Sequence, residues 1–253
     1  MVNKYGMKPI SQIKGEAWVM LSGNWGPAIG VVLLAGVIMW GAGMVLSMVT
    51  QMFSFIFMVP IGVIASGSVE AMSVFMVLFW VLFIMVISLG LSMASKAFEG
   101  VLERGKASYF LQLSRGSQRP EFSVMFDGFS DFLRSALTGL LYGLYVWLWS
   151  LLLIVPGIVF SIAYSQAYFI LRDHPGINAG EALRRSREMM RGAKAKYFWM
   201  WLSFMGWWLL ILISFGIASI WAAPYWLAAR TKFYADLVAN QYSETAHITA
   251  EAG

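Results

Sequence analysis

The sequence sets an imidazole beside a carboxylate at Arg172-Asp173-His174. Such a pair is the start of general acid–base chemistry, but a general base also needs a nucleophile or substrate pocket within hydrogen-bond reach. Pro175-Gly176-Ile177-Asn178 follow and read as a turn, which makes His174 a solvated loop residue. Metal ligation fails on donor number, because only Glu181 lies near His174 and Asp173. With no Cys and 2 His in the chain, thiol nucleophiles, disulfides and thiolate metal sites are removed. The residues therefore assign no catalytic group, no metal and no cofactor, and the expectation is a protein that is not an enzyme.

A second kind of chemistry is electrostatic. The stretch from Arg172 to Lys196 carries seven basic and three acidic residues. Clustered cations beside a membrane attract anionic lipid headgroups, at about 1 kcal/mol for each charge near the surface. Arg184, Arg185, Arg187, Arg191, Lys194 and Lys196 are thus the expected contact set for anionic lipid or a protein partner. The same charges would also arise simply as markers of the cytoplasmic side. Nucleic acid is not an expected partner, because no aromatic residue interleaves with the cations before Tyr197.

A third possibility is a polar lining. Tyr164, Ser165 and Gln166 interrupt one apolar tract and Tyr225 another. If these four converged they would line a groove for a lipid or small solute, the alternative reading of the chain as a small transporter or lipid-translocating protein. Hydrogen bonding between helices is the plainer use of such residues. No acidic residue lies deep in an apolar tract, so a cation-coupled transporter would lack its usual carboxylate.

These residues must be positioned by a membrane fold. Of the 253 residues 59% are hydrophobic and 12% charged, with mean hydropathy +0.69 and net charge +5; soluble domains carry about 25% charged residues. Trp25 to Val69, Ala71 to Ser95, Ser135 to Leu171 and Tyr197 to Ala229 contain no Asp, Glu, Lys, Arg or His. A spanning helix needs about 20 apolar residues, so each of three regions is long enough to cross twice. All Lys and Arg fall between these tracts, and basic loops stay cytoplasmic. The expectation is an all-α polytopic protein of about six spans in three helical hairpins, with both termini cytoplasmic; the third hairpin, at 33 residues from Tyr197 to Ala229, is short for two crossings, and a re-entrant pair or a tilted single span is its alternative.

The chain divides into a cytoplasmic or interfacial lead-in over residues 1–24, a first hairpin over 25–95, a loop over 96–134, a second hairpin over 135–171, the basic loop over 172–196, a third hairpin over 197–235 and a flexible tail over 236–253. Turns are expected at Val155-Pro156-Gly157 and near Phe215-Gly216, and a break near Pro60 and Gly62 would leave Met48 to Glu70 partly outside. The basic amino terminus lacks a small-x-small cleavage site and reads as uncleaved.

An amphipathic interfacial helix is expected before each hairpin. Ile10, Ile13, Ala17, Met20 and Leu21 share one helical face; Phe122, Met125, Phe126, Phe129, Phe132 and Leu133 share a second; Leu183, Met190, Ala193 and Tyr197 share a third. Each lead-in has a glycine near membrane entry, at Gly23, Gly128 and Gly192. Gly26-x-x-x-Gly30 and Gly139-x-x-x-Gly143 are small-residue spacings suited to close helix contacts, within the chain or in a homo-oligomer.

Particular strings carry a family likeness: GNWGPAIG from Gly23 to Gly30, LWSLLLIVPGIV from Leu148 to Val159, ALRRSREMMRGAKAKYF from Ala182 to Phe198, SFMGWW from Ser203 to Trp208, and APYWLAARTKFY from Ala223 to Tyr234. Together they make the chain resemble the bacterial integral membrane proteins catalogued as domain of unknown function 975. The resemblance implies several spans in a bacterial inner (cytoplasmic) membrane and brings no catalytic residue set.

Overall fold

The computed structural model describes residues 6–65, 72–117 and 120–251, and every regular element among them is helical. Eleven α-helices occur among these residues, in order: α1 (Ile10–Leu21), α2 (Trp25–Ala65), α3 (Met72–Ser114), α4 (Asp127–Ser130), α5 (Phe132–Leu152), α6 (Ile154–Tyr164), α7 (Ala167–Asp173), α8 (Ala179–Met189), α9 (Lys194–Leu202), α10 (Met205–Ile213) and α11 (Ser219–Glu251). Three helical stretches among them are long and apolar enough to cross a membrane: Trp25–Phe53, Leu78–Ser114 and Lys194–Ile213.

α2 and α3, at 41 and 43 residues, form the first hairpin. Met39, Ala42, Gly43 and Leu46 of α2 face Ala94, Ser95 and Phe98 of α3, as an antiparallel pair requires. α2 runs unbroken through Pro60 and Gly62, so the expected interruption does not occur there. An uncharged segment in hydrocarbon has no water to satisfy exposed backbone groups, and continuing the helix keeps them bonded. Glu70, expected outside, is not among the described residues.

The second hairpin is α5 against α6 and α7. Its register is fixed by rings meeting across it: Trp149 on Phe160, Tyr145 on Tyr164 and Tyr142 on Tyr168, with centroids 4.2, 5.8 and 6.4 Å apart. The reversal occurs at Leu153, the extended residue (φ −164°) between the helices, slightly earlier than the expected Val155-Pro156-Gly157. Pro156 instead sits in the first turn of α6, where its missing N–H is no loss.

The third hairpin sets α9 and α10 against α11. Tyr197 meets Phe233 and Phe204 meets Tyr225, with centroids 5.2 and 5.0 Å apart. It reverses where expected, at Phe215 (φ +50°) and Gly216 (φ +93°). The helix α11 continues to Glu251, so the described part of the tail expected over 236–253 is helical, with Leu237 buried in the core.

The lead-ins differ. Ile13, Ala17 and Leu21 of α1 are buried in the main core beside Leu227, Ala228 and Phe233 of α11. α1 therefore packs on protein with the face expected to lie on the membrane. Before the second hairpin a 3-10 turn (Phe122–Phe126) and the single turn α4 replace a continuous amphipathic helix. Only Met125 of its apolar set is buried, while Phe122, Phe126, Phe129, Phe132 and Leu133 are exposed. The third lead-in also turns its apolar set to protein rather than to the membrane surface: Leu183, Met190, Ala193 and Tyr197 are all buried, and they are divided between α8, the turn after it and α9.

α3 is the central post, and glycines let its neighbours reach it. A Cβ built on Gly100 would stand 2.5 Å from the Ser135 carbonyl oxygen and 2.7 Å from the Gly139 Cα. Gly105 and Gly128 likewise meet the backbone of Met125 and Val101. Gly143 lies against the Lys96 stem, so the Gly139-x-x-x-Gly143 spacing serves packing within the chain. Replacing Gly100 or Gly139 with Ala should destabilise the protein by about 2 kcal/mol, by forcing apart backbones that cannot yield. Gly26→Ala, at a position with open space around it, should be neutral or slightly stabilising. Thermal unfolding in detergent checks the contrast, and equal effects at Gly26 and Gly100 would refute it.

Candidate lipid-facing basic site

α8 begins with a full N-terminal cap. The Asn178 side chain accepts the Glu181 N–H at 2.8 Å, and Glu181 places its carboxylate in the first helical turn. Ala182, Leu183 and Ser186 then face inward. The Ser186 hydroxyl donates to the Ala163 carbonyl at 2.8 Å and accepts the Gln166 N–H at 3.1 Å, tying α8 to the junction of α6 and α7. That junction is where the helix ladder lapses, so a side chain from α8 supplies what the backbone lacks.

The arginines on the outer side of α8 are not equivalent. Glu181 accepts from both Arg184 and Arg185 at 2.8 Å, and Glu188 accepts from Arg184 at 3.0 Å. These guanidinium hydrogen bonds pull the Glu181 carboxyl down to about 2. Arg187 lies over the Phe160 ring, 5.7 Å from its centroid, with no carboxylate partner among the described residues. Arg191 and Lys194 flank Gly192 (φ +79°), and no side-chain hydrogen bond or ion pair joins either to another described residue. Lys196 departs from the set: its Nζ is enclosed, with no hydrogen-bond partner among the described residues.

Elsewhere the described basic residues are engaged. Arg104 is 5% exposed and donates to Asp131 at 2.7 Å and to Ser135 at 3.1 Å. This guanidinium lowers the Asp131 carboxyl below its ordinary range. Arg172 approaches Asp127 at 3.5 Å, and Arg230 donates to the Ser165 carbonyl at 3.0 Å while standing 4.0 Å from Glu103. Arg115 and the Tyr234 hydroxyl both donate to Asp173, at 2.7 and 3.0 Å. The carboxylate beside His174 is thereby occupied in joining α7 to α3 and α11, and His174 itself is exposed at the end of α7. Among the described residues no three His, Asp or Glu side chains gather as a metal site.

The expected groove residues do not form one lining. Tyr164 belongs to a small cluster with Ala167 and Leu183, whereas Tyr225 lies in the main core, against Trp18, Phe204 and Trp207. Ser165 and Gln166 are buried and hydrogen-bonded to each other at 2.8 Å. The Tyr225 hydroxyl donates to the Lys14 carbonyl. Ser165, Gln166 and Tyr225 act as internal ties, and Tyr164 packs its ring against Tyr145 and Phe160.

Residues 151–241 match the family model described as "Protein of unknown function (DUF975)". This is the family the sequence strings resemble. The DUF975 segment runs from the tip of the second hairpin through the basic corner into α11 and so contains Arg187, Arg191 and Lys194. No curated protein and no solved structure matches the chain.

The pairing of Glu181 sets a pH dependence. Its carboxyl is lower in the folded protein than the ordinary 4.5, so its contribution is fully present above 4.5 and is lost as pH falls toward about 2. Thermal unfolding of the wild-type protein should weaken through that window. Glu181→Gln should lower the midpoint at neutral pH and flatten the acid-side loss; an unchanged acid-side loss would show that the Glu181 pairs contribute nothing.

Proposed function

We propose that the protein is a non-enzymatic integral membrane protein whose basic face binds anionic lipid headgroups. The chain sits in a bacterial inner membrane, with its three hairpins entering from the cytoplasmic side and both termini remaining there. The observation that carries this reading is the charge left over. Among the described residues, Arg187, Arg191 and Lys194 are cations whose side chains have no carboxylate or carbonyl partner, and they lie together at the corner joining α8 to α9.

Three supports stand around that corner. The apolar side of α8 is spent on protein contacts, which fixes its cations outward. Free backbone N–H groups at the start of α9 add positive potential beside Lys194. One turn further on, Trp199 and Trp201 are exposed, in keeping with rings held at the headgroup level. Arg184 and Arg185, tied to Glu181 and Glu188, contribute less than the sequence led us to expect.

The test is selective retention of phosphatidylglycerol over phosphatidylcholine by the full chain in mixed-lipid nanodiscs. At about 1 kcal/mol per charge, replacing Arg187, Arg191 and Lys194 together with Gln should reduce the preference by about a hundredfold. The double variant Arg184→Gln/Arg185→Gln should lose much less. An unchanged preference in the triple variant would overturn the proposal.

A further inference from the structure

The three hairpins differ greatly in reach beyond a common level. Lys96 of α3 marks that level, since its stem lies against Gly143 of α5. Above it, α3 extends back to Met72, some 24 residues or about 36 Å. α5 extends only from Gly143 to Leu152, about nine residues or about 14 Å. In the third hairpin, Arg230 is tied to Glu103, a little below Lys96, and the tip at Phe215 stands about 12 Å above the Lys96 level. A hydrocarbon core is about 30 Å thick. Tilt would only reduce the depth reached.

The composition of the two short tips agrees. Leu151, Leu153, Val155 and Ile158 are exposed at one, and Leu212, Ile213, Phe215 and Ile217 at the other, with Phe215 98% exposed. A turn emerging among headgroups would carry polar or interfacial side chains. The tip of the third hairpin is also closed on itself. The Gly216 N–H donates to the Ile211 carbonyl at 2.8 Å, the Ile217 N–H to the Ser214 carbonyl at 3.2 Å and the Ala218 N–H to the Ser214 hydroxyl at 3.0 Å. From Ser214 to Ala222 every backbone N–H has an internal acceptor, which is what irregular backbone needs in hydrocarbon.

The first hairpin supplies the third observation. Where its outer side chains are described they stand bare, with Met48, Met52, Leu78, Phe79, Leu82 and Met85 all more than half exposed. Hairpins of equal height would have covered them.

We infer that the second and third hairpins are re-entrant: they enter from the basic side, bury their apolar tips among acyl chains of that leaflet, and return without reaching the other face. Only the first hairpin crosses. The inference rests on the membrane orientation proposed above, and it replaces six crossings by two. Lys194–Ile213, long enough by count, begins at the basic corner with Lys194 and carries Trp199 and Trp201 at the headgroup level proposed above, so only its later half enters the hydrocarbon.

The chain has no Cys, so single cysteines report cleanly. Ser117→Cys, Ser73→Cys, Leu153→Cys and Phe215→Cys are each introduced into the full chain. They are treated in right-side-out and inside-out vesicles with a membrane-impermeant maleimide, then again after detergent. The Ser117→Cys variant should react only from the cytoplasmic side and the Ser73→Cys variant only from the opposite side. The Leu153→Cys and Phe215→Cys variants should react from neither side until detergent is added, and nitroxides attached to their thiols should be relaxed by oxygen but not by a water-soluble nickel chelate. Reaction of either tip thiol in intact vesicles would overturn the re-entrant inference. Reaction of the Ser117→Cys variant from the opposite side would instead overturn the orientation, leaving the buried tips as a separate result.

Discussion

Two backbones can touch only where neither carries a side chain, and the approach of Gly100 to Gly139 uses that freedom to seat α5 directly on α3. The rest of the structure hangs from this crossing. It brings Arg104 to Asp131 and Ser135, which closes the base of the second hairpin. It also sets the height at which α7 and α11 dock, through Arg115 with Asp173 and Arg230 with Glu103. Arg104 and Arg230 are tolerated in their enclosed places because each has a carboxylate or carbonyl within reach; removing one partner would strand the other.

This internal pairing decides what is left for the outside. A cation that closes a helix junction cannot also attract a headgroup with full strength, so the sequence overstates the basic face. Arg184 and Arg185 lie on the same loop as Arg187 and Arg191 and look alike in a list. They differ because helical spacing puts Glu181 three and four residues before them. Arg187 falls instead over Phe160, and Arg191 lies past the end of α8.

Much of the architecture was legible in the residues. Uncharged tracts announced an all-helical chain with stretches long and apolar enough to cross a membrane, and Phe215-Gly216 announced a reversal. Periodicity says that a face is apolar but not whether lipid or protein covers it. Hence α1 was expected on a membrane surface and is found against α11, while the phenylalanines from Phe122 to Phe132 were expected as one helix and are split over a 3-10 turn and two helices. Tyr164 and Tyr225 share a composition but not a cluster, since their meeting depends on which faces pair across elements far apart in sequence. Pro60 carried a turn signal that continuous helix overrides.

Two helices far apart in sequence close on one another. The Lys8 N–H donates to the Asp236 carboxylate at 3.1 Å, and the inward side of α1 is covered by α11. During synthesis, then, α1 leaves the ribosome long before its cover exists, and until α11 follows Ile13, Ala17 and Leu21 lack the residues that bury them. A nascent chain halted between the two would present the bare face of α1 to the bilayer or to a chaperone.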